Sequence, residues 1–123
     1  MRAAKVDKSQ GQYINGLRTI GCSVCVLSML GEGRPDLLVG FVDGRNIPVN
    51  ILIEIKEIKG RLTPAQIAWH GEWRGFVLIC REAQQAMNII RTMQVISYAE
   101  VVSDMSLVVD YREASISNLP FRG

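Results

Sequence analysis

The chain has 123 residues, 48% of them hydrophobic and 21% charged, enough apolar material for one packed domain and too much for intrinsic disorder. Fourteen Lys and Arg against twelve Asp and Glu leave a formal net charge of +2, too mild to establish a nucleic-acid surface by itself. No apolar run reaches the ~18 residues of a membrane span, and Met1 to Gln10 has no apolar signal-peptide core. The expectation is a small cytoplasmic globular domain. Three cysteines, Cys22, Cys25 and Cys80, cannot all pair within one chain. Cys22 and Cys25 form C-x-x-C inside an apolar run that reads as a strand, where residues three apart face opposite ways. They are expected to be ordinary thiols, not metal ligands.

Residues 7–19 read as a helix, with Tyr13, Ile14, Leu17 and Ile20 as an apolar stripe and Gly21 as its stop. A strand over 22–29 comes next, then the turn GEGRP, a second strand over 36–42, the hairpin signal Asp43-Gly44, and a third strand over 49–58. Thr63-Pro64-Ala65-Gln66 opens a helix running to about Trp73, with Thr63 as N-cap, Pro64 as first helical residue and Gln66 at the capping-box position. A fourth strand covers 76–80 and a helix 82–91, with Ala83, Ala86, Met87 and Ile90 as its buried stripe. This α-β-β-β-α-β-α order predicts an α/β fold, a mixed central sheet flanked by helices. Residues 92–123 read as a C-terminal extension of a 1–91 core within one domain. A short helix near 97–105 and a strand near 106–111 are expected there, packed on the core or at a dimer interface.

Asp36 and Glu54 are carboxylates in otherwise apolar strands, a costly placement unless the charge is paired or bound to metal. Lys56, two residues after Glu54, shares its face of the strand, while Ile51, Ile53 and Ile55 take the other. The hairpin can bring Asp36 and Glu54 together. Such a cluster suits phosphodiester hydrolysis with Mg²⁺, where the ammonium orients water or stabilises transition-state charge. The alternative is a structural Glu54–Lys56 ion pair at a sheet edge.

Pro35-Asp36 followed by Glu54-Ile55-Lys56 resembles the PD-(D/E)xK nuclease superfamily, whose restriction-endonuclease-like core has the same element order. GEGRPDLLVGF, LIEIKEIKGRLTPAQIAWHGEW and RGFVLICREAQQAM are similar to the small phage-encoded members of the virus-type replication-repair nuclease (VRR-NUC) family, over about residues 5–91. The resemblance implies Asp36 and Glu54 as metal-binding carboxylates, the Ile55 main-chain carbonyl as a further ligand, Lys56 as catalytic lysine and Gln66 as a supporting residue, beside its capping reading. Many members carry an acidic residue on the first helix. Gln10 and Gln12 stand there, with Asp7 just before, so one Mg²⁺, replaceable by Mn²⁺, is expected.

The resemblance implies a Mg²⁺-dependent endodeoxyribonuclease resembling Holliday-junction resolvases: a homodimer acting on branched DNA, without a membrane partner, in a bacterial cell harbouring a phage. A flap, nick or restriction-type nuclease is an alternative, as is a catalytically silent binding protein of the same fold. Arg34, Lys59 and Arg61 flank the site as DNA-contact candidates or as solvated surface. His70 reads as a packed or capping residue, or as a phosphate contact. Trp69 and Trp73 read as core or interface aromatics, or as base-stacking groups. Glu32 is a weak further ligand candidate, and Glu57 is expected on the opposite side of the third strand.

Overall fold

The computed structural model describes residues 8–104. Helix α1 (Lys8–Thr19) leads through Gly21, whose φ of 89° turns the chain, into β1 (Ser23–Val26). A 3₁₀ turn (Ser28–Leu30) comes next, then β2 (Leu37–Val42), β3 (Pro48–Ile55), α2 (Pro64–Glu72), β4 (Val77–Cys80), α3 (Ala83–Val95) and α4 (Tyr98–Ser103). The four strands form one mixed sheet in the order β1-β2-β3-β4, antiparallel except for the parallel β3–β4 pair. The α/β class and the mixed sheet flanked by helices are as the residue pattern predicts.

Alternation decides which side of the sheet is packed. Leu37, Val39 and Phe41 of β2 and Val49, Ile51 and Ile53 of β3 are buried, as are Leu78 and Cys80 of β4. They meet Tyr13 and Leu17 of α1, Ala86, Ile89, Ile90 and Met93 of α3, and Val101 of α4. Each such aliphatic side chain stabilises the fold by about 1.5–3 kcal/mol relative to exposure. Glu54 faces the opposite way, beside Ile79, its partner in the parallel ladder. Helix α2 meets that second face at Glu54, and β4 is buried along its whole length.

Several boundaries differ from those expected. The first strand stops at Val26: the Leu27 N–H still donates to the Asp36 carbonyl at 2.7 Å, but Leu27 itself leaves the extended conformation and opens the 3₁₀ turn, its carbonyl accepting the Leu30 N–H. The third strand ends at Ile55, not 58. Lys56 N–H still donates to Cys80 O, but Glu57–Gly60 turns back on itself, with the Gly60 N–H on Glu57 O. The Arg81 guanidinium pins that turn, donating to Glu57 O and Gly60 O, both at 2.7 Å. Glu57 thus lies in a turn past the strand, not on its opposite side. The β2–β3 connection is a five-residue loop, not a two-residue turn on Asp43-Gly44. Asp43 Oδ1 accepts the N–H groups of Arg45 and Ile47, and Asn46 takes a positive φ.

Helix α3 runs past its expected end at 91 to Val95. Asp43 Oδ2 accepts the Tyr98 N–H and the Gly44 N–H donates to Met93 O, which ties the α3–α4 corner to the β2–β3 loop. A Cβ on Gly44 would sit 2.3 Å from Ile96 O, so only glycine permits that approach. The expected 97–105 helix is α4, packed on its own protomer through Val101. The expected strand at 106–111 lies outside the described residues, as does Asp7.

Candidate functional site

Asp36 sits immediately before β2, after the buried Pro35. Its N–H donates to Ile53 O at 3.0 Å, and its side chain takes over the ladder: Oδ2 accepts the Ile55 N–H at 2.7 Å. In an extended strand the N–H and C=O of one residue point the same way, so the Ile55 carbonyl lies on the Asp36 side. Glu54, 2% exposed, meets Asp36 carboxyl to carboxyl. Lys56 comes next on the same face, close enough for its charge to act on Asp36, Glu54 and His70.

Helix α2 completes the site from above. Thr63 Oγ1 accepts the Gln66 N–H at 3.2 Å, and Gln66 Oε1 accepts the Thr63 N–H at 2.8 Å, a full capping box with Pro64 in the first turn. The other end of the same amide, Gln66 Nε2, donates to Glu54 Oε2 at 3.1 Å. The capping and supporting readings of Gln66 are therefore one arrangement. One turn later His70 is buried, its Nε2 3.5 Å from Glu54 Oε1. Gly33, φ 81°, lets the preceding loop lie against α2, since a Cβ there would fall 2.3 Å from Ala65 O.

The electrostatics are those of two carboxyls crowded together in a poorly solvated place. Burial pushes Asp36 up to about 7, and the neighbouring Glu54 charge adds to it, while the Ile55 N–H and Lys56 pull it down. Burial likewise pushes Glu54 up to about 7 against the pull of Asp36 and Lys56. The two carboxyls lie within hydrogen-bonding reach of one another and hold a proton between them, so the titration belongs to the pair. Burial, with Lys56 nearby, holds His70 down at about 4. Tyr13, on α1, has a buried hydroxyl without a hydrogen-bond partner, raised by burial and by neighbouring negative groups that include Asp36.

Among the described residues, no three His, Cys, Asp or Glu side chains converge to enclose a metal ion. The donors that do converge are all oxygen: two carboxylates beside a strand carbonyl. Mg²⁺ is held in that manner, through one or two carboxylates with its remaining positions on water and phosphate. The mutual repulsion of Asp36 and Glu54 is the structural feature a divalent cation relieves, so this donor set fits Mg²⁺ and does not fit a closed four-ligand Zn²⁺ site.

The outlying candidates divide. His70 is buried and unable to lie on a phosphate from outside, which leaves the packed reading. Arg34 is exposed but folded onto its own loop, donating to Glu32 Oε1 at 3.0 Å, and Glu32 points to it and not to the carboxyl pair. Lys59 and Arg61 are exposed between β3 and α2. Trp69 and Trp73 are not core. They stack on one another with ring centroids 4.8 Å apart, and Trp73 is 47% exposed. Gln10 is buried on α1 and Gln12 exposed. Cys22 and Cys80 are buried and Cys25 exposed, all as free thiols. Arg81, which organises the turn carrying Lys59, was not anticipated: three main-chain carbonyls in a turn leave no pattern in the side-chain sequence.

No protein-family model, curated protein or solved structure matches the chain. Among the described residues, no helix is long and apolar enough to cross a membrane.

Proposed function

We propose that this chain is a Mg²⁺-dependent endodeoxyribonuclease of PD-(D/E)xK type, hydrolysing phosphodiester bonds in branched DNA as a homodimer. The observation that carries the reading is the Asp36–Glu54 carboxyl pair, Glu54 buried and Asp36 half-buried where β2 and β3 meet, with Lys56 on the same face. A structural Glu54–Lys56 ion pair accounts for one carboxylate, but it gives no reason for a second to be set against it. Asp36, Glu54 and the Ile55 carbonyl would hold the cation. When bound, Mg²⁺ supplies Lewis-acid activation of water and neutralises phosphate charge. Lys56 orients the attacking water or donates to a non-bridging phosphate oxygen as negative charge builds there. Gln66 keeps Glu54 facing Asp36 through its amide N–H, and Lys59 and Arg61, exposed between β3 and α2, are the candidates for contact with a phosphate backbone.

A two-fold dimer matches the symmetry of a four-way junction. The test is cleavage of linear duplex, flap and four-way-junction DNA with Mg²⁺, beside Asp36→Asn. Paired incisions in the junction by wild type alone are expected. Flap cleavage without junction cleavage replaces the substrate class. Cleavage by Asp36→Asn at the wild-type rate removes the site, and binding of DNA with no cleavage of any substrate favours a silent nuclease fold. Light scattering at tens of micromolar reads the dimer.

A further inference from the structure

Glu54 is contacted by two side chains from a single helix, Gln66 on Oε2 and His70 on Oε1. They stand four residues apart, the spacing that stacks side chains on one helix face. Gln66 is fixed from below by the capping box. His70 is fixed by burial, 3% exposed, with Trp69 against its ring edge at a centroid distance of 5.6 Å. We infer that His70 is a positioning residue for Glu54: a neutral imidazole that points its Nε2–H at Oε1 and, with Gln66, fixes the plane of the carboxylate facing Asp36. The inference rests on Glu54 being a cation ligand, as proposed above.

The tautomer is decided by the surroundings of the ring. His70 Nδ1 is buried and has no hydrogen-bond partner. A proton there would be a donor with no acceptor, which costs more than a bare nitrogen lone pair. It would also turn the Nε2 lone pair onto the oxygen of Glu54, acceptor against acceptor. With the proton on Nε2, the ring donates to the carboxylate and leaves only a weak acceptor unpaired. The orientation matters because a free glutamate carboxylate rotates about its last torsion, and only a fixed plane presents a lone pair to the position shared with Asp36. Packing alone would need an apolar side chain at 70, not one with a nitrogen aimed at Oε1.

His70 is the only histidine in the chain, so its ring nitrogens are read without assignment in a long-range ¹H–¹⁵N spectrum of the wild-type protein. The Nε2–H tautomer is expected at pH 7.5, and the Nδ1–H tautomer would overturn the inference. Mn²⁺ binding, measured by calorimetry without DNA, supplies the second readout. His70→Leu, which fills the space without a donor, is expected to weaken binding by about tenfold or more, the usual loss when a residue orienting a metal ligand is removed. His70→Gln, whose amide nitrogen reaches the Nε2 position, is expected to restore most of it. A folded His70→Leu that binds Mn²⁺ as wild type does refutes the positioning role. Should His70→Leu not fold, a His70→Gln variant weakened as much as a full loss of donor refutes it instead. A wild-type chain that binds no Mn²⁺ removes the metal reading of Glu54, and the contact itself then stands or falls on the tautomer.

Discussion

Replacing Asp36 by Asn should make the cation-free protein more stable while abolishing the proposed cleavage. A carboxyl whose pKa rises from its ordinary 3.8 to about 7 carries, at ~1.4 kcal/mol per pH unit, about 4 kcal/mol of disfavoured ionisation. Asp36 is only half-buried, and solvent screening reduces that to about 2 kcal/mol. Asn removes the charge and keeps the contacts: its oxygen can still accept the Ile55 N–H, and its NH₂ can donate to Glu54. The sign depends on pH. The folded protein holds a proton that the unfolded chain gives up near 3.8, so its contribution to stability is fully present below that value and is lost as pH rises through about 7. The gain from Asp36→Asn is therefore expected to be about 1–2 kcal/mol at pH 8, about 3–8 °C in thermal midpoint, and to shrink towards pH 5.5, where the wild-type pair holds its proton. Thermal unfolding followed by circular dichroism in EDTA at both values measures it. An Asp36→Asn protein destabilised at pH 8, or stabilised equally at both, would show that the two carboxyls do not oppose one another.

Lys56→Ala is expected to slow cleavage by about 10²–10³ while Mg²⁺ or Mn²⁺ still binds; full rescue by excess Mg²⁺ would reduce Lys56 to support of the metal site. Between pH 6.5 and 8 without cation, the carboxyl pair releases protons and lowers stability, whereas His70, depressed in the folded state, raises it slightly as the unfolded chain's imidazole deprotonates. The His70→Gln protein lacks that opposing contribution and should lose about 1 kcal/mol across the interval; a flat profile in urea titrations at the two pH values refutes the proton count. Gly33→Ala is expected to cost about 3 kcal/mol, combining a positive φ with a Cβ against Ala65 O, and a midpoint unchanged in denaturant would contradict the loop's contact with α2. Asp43→Ala removes the acceptor for Arg45, Ile47 and Tyr98, and its unfolding midpoint should drop well below that of an Arg45→Ala control.

The elements with a strong local signature were legible in the residues. Thr63-Pro64-Ala65-Gln66 carries N-cap, first-turn proline and capping-box glutamine in four positions, and α2 begins there. The alternation in β3 separated Ile51 and Ile53 from Glu54 correctly, because a strand's period of two leaves no other assignment. Part of what failed depended on contacts distant in sequence. The end of β3 is set by Arg81, 24 residues after Glu57. The strand over 22–29 ends early for a local reason, since Leu27 takes a helical conformation and opens the 3₁₀ turn. The end of α3 was placed at 91, where the apolar stripe and the family resemblance stop, whereas Met93 is buried in the core and the helix runs on to Val95.

The site was legible as a set of residue types but not as a geometry, and α2 shows why. Its cap and its role at the site looked like competing explanations of Gln66, since each uses the same side chain. An amide has two ends: the oxygen closes the capping box and the nitrogen reaches Glu54. Fixing the first turn of the helix therefore fixes a donor on the carboxylate, and the helical repeat delivers His70 one turn later to the other oxygen. Gly33 lets the loop that leads to Asp36 rest on that same first turn. The two carboxyls are thus held together by elements whose own stability does not depend on them, which is how a repulsive pair persists in a fold without a cation. Disrupting the cap should loosen the Glu54 side of the site and leave the Asp36–Ile55 hydrogen bond in place, because that bond belongs to the sheet.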